Sequence, residues 1–161
     1  MFHVENYTGT LEEKYAQLNK QLEALLTGED NVIANLSNTS ALLNVFLEKI
    51  NWVGFYFLEK EKNSLVLGPF QGLPACIRIP IGRGVCGTAA AKQETLVIDD
   101  VEQFPGHIAC DAASRSEIVI PIKKNNEVFA VLDIDSPEYN RFSSEEAKLL
   151  QSFVHVLEKH L

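Results

Sequence analysis

Ser116-Glu117-Ile118-Val119-Ile120-Pro121-Ile122-Lys123-Lys124-Asn125-Asn126-Glu127-Val128-Phe129-Ala130-Val131-Leu132-Asp133-Ile134-Asp135-Ser136 reads as two β-strands joined by a turn, and the register between them decides how the chain is layered. Both arms are rich in β-branched residues, and Lys124-Asn125-Asn126 between them has turn chemistry. A two-residue Asn125-Asn126 loop would pair Ile118 with Asp133 and Ile120 with Val131, which mixes apolar and charged side chains on one face. One more loop residue, or a bulge, pairs Ile118 with Ile134, Ile120 with Leu132 and Ile122 with Ala130. That face is wholly apolar. Register follows the buried face, so the second pairing is the expected one. The opposite face then gathers Glu117, Asp133 and Asp135 at one end, beside Val119 and Val131. Three carboxylates at the mouth of a sheet repel one another and call for a cation, unless they form only a solvated rim.

Outward from the hairpin, the rest of the chain supplies more strands and a helical layer. Thr10-Leu11-Glu12-Glu13 has the form of a capping box, and Leu11, Tyr15, Leu18, Leu22 and Leu25 recur at helical steps, predicting a helix over about 10–27 that Gly28 ends. A second helix is expected over about 31–49, with Ile33, Leu36, Leu43 and Phe46 or Leu47 facing inward. Trp52-Val53-Gly54-Phe55-Tyr56-Phe57-Leu58 and Leu65-Val66-Leu67-Gly68-Pro69-Phe70 read as a hairpin, and Cys76–Ile79 and Thr95–Ile98 as short strands. Ser143-Ser144-Glu145-Glu146 is a second capping box, opening a helix whose stripe is Leu150, Phe153, Val154, Leu157 and Leu161. Helices at the termini with four to six strands between them predict an α+β arrangement. At 161 residues the chain is the length of one domain with a full core, expected to span 1–161.

Composition narrows the function classes. The formal net charge is −8 and lysine and arginine form no cluster, which argues against a nucleic-acid or anionic-membrane partner. No apolar run reaches the ~18 residues of a membrane span, and no basic segment followed by an apolar one opens the chain, so a cytoplasmic location is expected.

Three cysteines, Cys76, Cys86 and Cys110, are expected to be reduced at rest in such a compartment, which favours catalytic or metal roles over structural bridges. Cys110 lies in Phe104-Pro105-Gly106-His107-Ile108-Ala109-Cys110-Asp111, where the Pro-Gly pair and the small residues that follow predict a loop beside the first strand of the quoted hairpin. That placement suits a reactive thiol. His107 and Cys110 form an H-x-x-C pair, but structural zinc sites usually supply ligands in close C-x-x-C pairs, and none is present. Cys86 lies in Gly82-Arg83-Gly84-Val85-Cys86-Gly87-Thr88, a glycine-rich entry to an alanine-rich helix whose bare amides are expected to lower its pKa. On local chemistry Cys86 and Cys110 are equal candidates for the nucleophile.

Read together, Asn51-Trp52-Val53-Gly54-Phe55-Tyr56, Leu67-Gly68-Pro69-Phe70-Gln71-Gly72, Pro74-Ala75-Cys76-Ile77-Arg78-Ile79, Gly82–Thr88, Phe104–Asp111 and Leu132-Asp133-Ile134-Asp135-Ser136-Pro137 resemble, in order, the free methionine-(R)-sulfoxide reductases, a GAF-domain family. The resemblance covers nearly the whole chain. It implies a GAF-like single domain, a central six-stranded antiparallel sheet flanked by N- and C-terminal helices. It also implies thiol-dependent reduction of the free amino acid, with no bound cofactor. Cys110 matches the family's nucleophile, Cys76 its principal resolving cysteine and Cys86 an auxiliary third thiol. Attack by Cys110 would leave a sulfenic acid, Cys76 would condense with it, and thioredoxin would reduce the resulting disulfide. Glu117, Asp133 and Asp135 match the ligand-binding carboxylates, and the cation they call for becomes the substrate ammonium. Trp52 matches the wall for the S-methyl group, a role to set beside that of an ordinary core aromatic. A homodimer is compatible with the sequence and not indicated by it. The competing reading is a GAF sensor that binds a small ligand without catalysis, which would have no need of three thiols in these surroundings.

Overall fold

The computed structural model describes residue 3 and residues 6–161. Its centre is one six-stranded antiparallel sheet in the order β3-β2-β1-β6-β5-β4, formed by β1 (Trp52–Glu59), β2 (Ser64–Gly72), β3 (Arg78–Pro80), β4 (Leu96–Ile98), β5 (Ser116–Lys124) and β6 (Glu127–Ser136). The β5–β6 pairing is the one the apolar face requires: Ile118 with Ile134, Ile120 with Leu132, Ile122 with Ala130. Asn125 and Asn126 both have positive φ, at 54° and 62°, so the connection is the two-residue loop after all. A register shift between Ile122 and Lys123 supplies the extra residue as a bulge.

Four helices cover this sheet: α1 (Leu11–Leu26), α2 (Val32–Phe46), α3 (Gly84–Lys92) and α4 (Ser144–Glu158). The Thr10 hydroxyl accepts from the Glu13 amide while the Glu13 carboxylate accepts from the Thr10 amide, so both halves of the first capping box are formed. The Ser143 hydroxyl accepts from the Glu146 amide at the start of α4, but the Glu146 carboxylate accepts from Tyr15 and Arg141 instead, so the second capping box is only half formed. Helices α1, α2 and α4 bury Leu18, Leu22, Leu36, Leu43, Leu150 and Phe153 against Val53, Phe55, Ile118, Ile120, Leu132 and Ile134 on one face of the sheet.

Two expectations shift. Helix α2 stops at Phe46 rather than at residue 49, and Leu47 is its cap. Ile33 is 55% exposed, because the buried face of α2 is centred on Asn35, Leu36, Thr39, Leu42 and Leu43 and Ile33 stands at its edge in the first turn. Strand β3 likewise begins at Arg78, leaving Cys76 on the irregular connection between β2 and β3.

The second face of the sheet carries a separate core under α3, made of Trp52, Tyr56, Leu65, Ile79, Val85, Ala89, Val119 and Val131, with Cys86 among them. This smaller layer does not reach the ends of β1, β5 and β6. A pocket opens there.

Candidate active site

Strand alternation puts the pocket's floor in place before any loop is considered. Glu117 on β5 is opposite Asp135 on β6, Val119 is opposite Asp133, and on the other side of β6 Trp52 is opposite Asp135 and Gly54 opposite Asp133. The side chains of Glu117, Asp133, Asp135, Trp52 and Tyr56 therefore share one face, and all five line the pocket. Gly54 is the residue this crowding needs, since a Cβ there would run into Phe70 and the Trp52 ring. Trp52 is 3% exposed and stacks on Phe70 at 5.2 Å and on Tyr56 at 5.8 Å, with its indole N–H donating to the Leu73 carbonyl at 3.1 Å. It is a core aromatic and a pocket wall at once.

Two loops close the mouth. The segment after β2 brings Leu73, Pro74 and Ala75 to the lining, with Cys76 next along, and the loop before β5 brings His107, Ile108, Cys110, Asp111 and Ser114. They are joined by a disulfide between Cys76 and Cys110, whose Cα atoms are 5.6 Å apart, while Cys86 is free and buried. Each loop is also tied to β1. The Tyr56 hydroxyl donates to the Cys76 carbonyl at 3.1 Å, and the Asn51 amide donates to the Asp111 carboxylate at 2.9 Å and the Ser114 hydroxyl at 3.1 Å. Sequence reasoning missed Tyr56, Asn51, Asp111 and Ser114 as parts of the site. Tyr56 was within reach of it, because it alternates with Trp52 and Gly54; the Asn51 contacts join residues far apart in the chain.

The electrostatics of the floor follow from burial. Desolvation, with Asp133 and Asp135 beside it, pushes the Glu117 carboxyl well above the ordinary carboxylate range, and desolvation followed by Asp133 does the same to Asp135. Asp133 rises to about 6, again through desolvation, opposed by hydrogen bonding with Glu117 and Cys86. Its Oδ1 is buried with no hydrogen-bond partner among the described residues, an unfilled acceptor aimed at whatever enters. His107 Nε2 is 3.8 Å from a Glu117 oxygen, but burial lowers the imidazole's pKa and raises the carboxyl's, so burial works against an ion pair between them.

Cys86 corrects a sequence expectation. Its place in the first turn of α3 was expected to lower its pKa, yet the thiol is raised well above normal by burial and then by Asp133, Glu117 and Asp135. Its Sγ is 3.9 Å from Glu117 Oε1, so the carboxylates of neighbouring strands outweigh the amides of its own helix. Donor atoms of Cys86, Glu117 and Asp133 lie within 4.8 Å of one another, a set that suits a cation.

A stability consequence follows with a defined sign. Asp133 has a folded pKa of about 6 against an ordinary value of 3.8, so the folded state binds its proton more tightly than the unfolded one. Stability is therefore lost as pH rises from about 4 through about 6, by about 3 kcal/mol in order of magnitude. Asp133→Asn escapes this cost: its thermal midpoint is expected to lie several degrees above wild type at pH 8 and to match wild type at pH 4. A variant that melts below wild type at pH 8 would show that the carboxylate stabilises the empty site.

Known proteins place this arrangement. The GAF domain family model matches residues 22–161. The chain is 55% identical over 149 residues to the free methionine-R-sulfoxide reductase of Escherichia coli (strain K12), covering 92% of this chain and 89% of that protein. The fold superposes with a TM-score of 0.88 on the reduced form of fRMsr of Staphylococcus aureus, at 52% identity over 98% of this chain and 99% of that one. The free methionine-R-sulfoxide reductase from Neisseria meningitidis, solved with its substrate, gives a TM-score of 0.92 at 41% identity over 99% and 95% of the two chains. No helix among the described residues is long and apolar enough to cross a membrane. On sequence and fold alike, the chain belongs to the free methionine-R-sulfoxide reductases of the GAF-domain family.

Proposed function

We propose that this chain reduces free L-methionine-(R)-sulfoxide to methionine in the cytoplasm, with Cys110 as nucleophile and thioredoxin as the external reductant. The observation that carries this reading is the Cys76–Cys110 disulfide, which sits at the mouth of a pocket floored by the buried carboxylates of Glu117 and Asp133, with half-buried Asp135 beside them. A thiol pair that can close into a disulfide supplies two electrons, the number a sulfoxide needs. The carboxylates supply what a free amino acid offers and a peptide-bound one lacks, a place for its ammonium.

Asp133, its pKa raised to about 6, is ionised at pH 7 and anchors the ammonium through its unpartnered oxygen. Glu117 stays protonated and donates to the sulfoxide oxygen, polarising the sulfur for attack. Asp135, half-buried at the rim, completes the negative wall. The S-methyl group packs on Trp52. In net terms the oxygen passes to Cys110 as a sulfenic acid and methionine leaves; the Cys76 thiol then condenses with the sulfenic acid, releasing water and forming the disulfide. Cys86, with its raised pKa, stays a thiol during this cycle and serves as an auxiliary group beneath Glu117.

Incubation with racemic free methionine sulfoxide and dithiothreitol, followed by chiral analysis, tests this reading. The R epimer is expected to be consumed and the S epimer spared, with methionine sulfoxide inside a peptide left intact. Equal loss of both epimers, or efficient reduction of the peptide, would sink the assignment.

A further inference from the structure

Leu73 and Ile77 are the most solvent-exposed of the exposed large hydrophobic side chains, at 63% and 70%, and they bracket Cys76. Residues 72–77 (Gly-Leu-Pro-Ala-Cys-Ile) and 105–110 (Pro-Gly-His-Ile-Ala-Cys) contain no lysine, arginine, aspartate or glutamate, in a chain whose net charge is −8. Asp111, next along, has its carboxylate engaged by Asn51 and by the Ala113 amide. The disulfide is thus framed by a rim of two segments without charged side chains, and beneath it burial and neighbouring carboxylates raise the pKa of Glu117 and Asp135. The carboxylate an approaching thiolate meets at that rim is the part-exposed Asp111, held by hydrogen bonds from Asn51 and the Ala113 amide. Ile77 does not line the pocket, so its exposed side chain is of no use to a small substrate. Exposed apolar residues beside a reactive bond mark a contact surface.

We propose that this rim, with Ile77 at its crest beside Leu73, is the docking surface for a protein dithiol reductant whose own thiols lie in an uncharged, apolar surface. The inference rests on the reading of the Cys76–Cys110 disulfide as a turnover product. In the docked pair a partner thiolate attacks one sulfur of the bond, which breaks as an intermolecular disulfide forms. The partner's second thiol then displaces that link, so two electrons and two protons pass to Cys76 and Cys110 and the partner leaves as a disulfide.

The test compares Ile77→Ser with wild type under two reductants: thioredoxin, kept reduced by thioredoxin reductase and NADPH, and dithiothreitol. The kcat/KM for thioredoxin is expected to fall about tenfold, the loss typical of an apolar contact residue, while turnover with dithiothreitol stays at the wild-type rate. Ile77→Leu is expected to restore thioredoxin turnover. Ile33→Ser, at an equally apolar exposed position on α2, is expected to change neither rate. An unchanged kcat/KM for thioredoxin in Ile77→Ser would overturn the surface, as would equal losses with both reductants. Sedimentation showing a dimer that Ile77→Ser dissociates, with thioredoxin turnover unaltered, would assign the rim to a second copy instead. Failure of wild type to turn over with dithiothreitol would sink the reductase reading itself.

Discussion

Cys110→Ser is expected to release no methionine from free methionine-(R)-sulfoxide under any reductant, whereas Cys76→Ser should release about one equivalent and then stall when thioredoxin is the only reductant. The two cysteines sit on opposite sides of one bond, yet only the nucleophile is needed for the first transfer of oxygen. Without Cys76 the sulfenic acid on Cys110 has no neighbouring thiol to condense with, and dithiothreitol, small enough to reach it, should restore turnover. Cys86→Ser is expected to keep both the first turnover and the recycling, because burial and three carboxylates hold that thiol in its protonated, weakly nucleophilic form. Quench-flow counting of methionine separates these outcomes. A first turnover lost in Cys86→Ser and kept in Cys110→Ser would reverse the roles.

The carboxylates should divide the kinetic effects between them. Asp133→Asn removes the anion that holds the ammonium, and is expected to raise KM with a smaller effect on kcat. Glu117→Gln replaces a hydroxyl donor by a weaker amide donor at the sulfoxide oxygen, and is expected to lower kcat. For Asp133→Asn the lost charge-assisted hydrogen bond costs about 1.5–3 kcal/mol, or roughly ten- to a hundredfold in kcat/KM. In wild type, kcat/KM should rise with pH through about 6 as Asp133 ionises, and that limb should vanish in Asp133→Asn. Steady-state pH profiles of the three proteins check this. If Glu117→Gln leaves kinetics unchanged while Asp133→Asn is impaired, the glutamate takes no part in the reaction.

The register of β5 and β6 was legible because a slip of one residue would have buried Asp133 among the helices, and nothing in the turn could have offset that. The same pairing placed Glu117, Asp133 and Asp135 on one face before any pocket was visible. Local reading did less well where distant strands decide the chemistry. The first turn of α3 reads as a thiolate-stabilising terminus, and only the sheet beneath it supplies the burial and carboxylates that invert the effect on Cys86. The partnership of Cys76 with Cys110 lay beyond spacing arguments too: Cys76 is on an irregular connection whose path is set by packing, and the pairing came from resemblance to a family. The Asn51 contacts with Asp111 and Ser114, which tie the Cys110 loop to the start of β1, depend on tertiary approach alone.

The most direct test uses no reductant at all. Fully reduced wild-type chain is mixed with an excess of free methionine-(R)-sulfoxide, the methionine released is counted, and the protein's disulfides are mapped by peptide mass. About one methionine per chain with Cys76 linked to Cys110 and Cys86 still a free thiol is the predicted result. Release of no methionine, or a disulfide that includes Cys86 while Cys76 remains reduced, would contradict it.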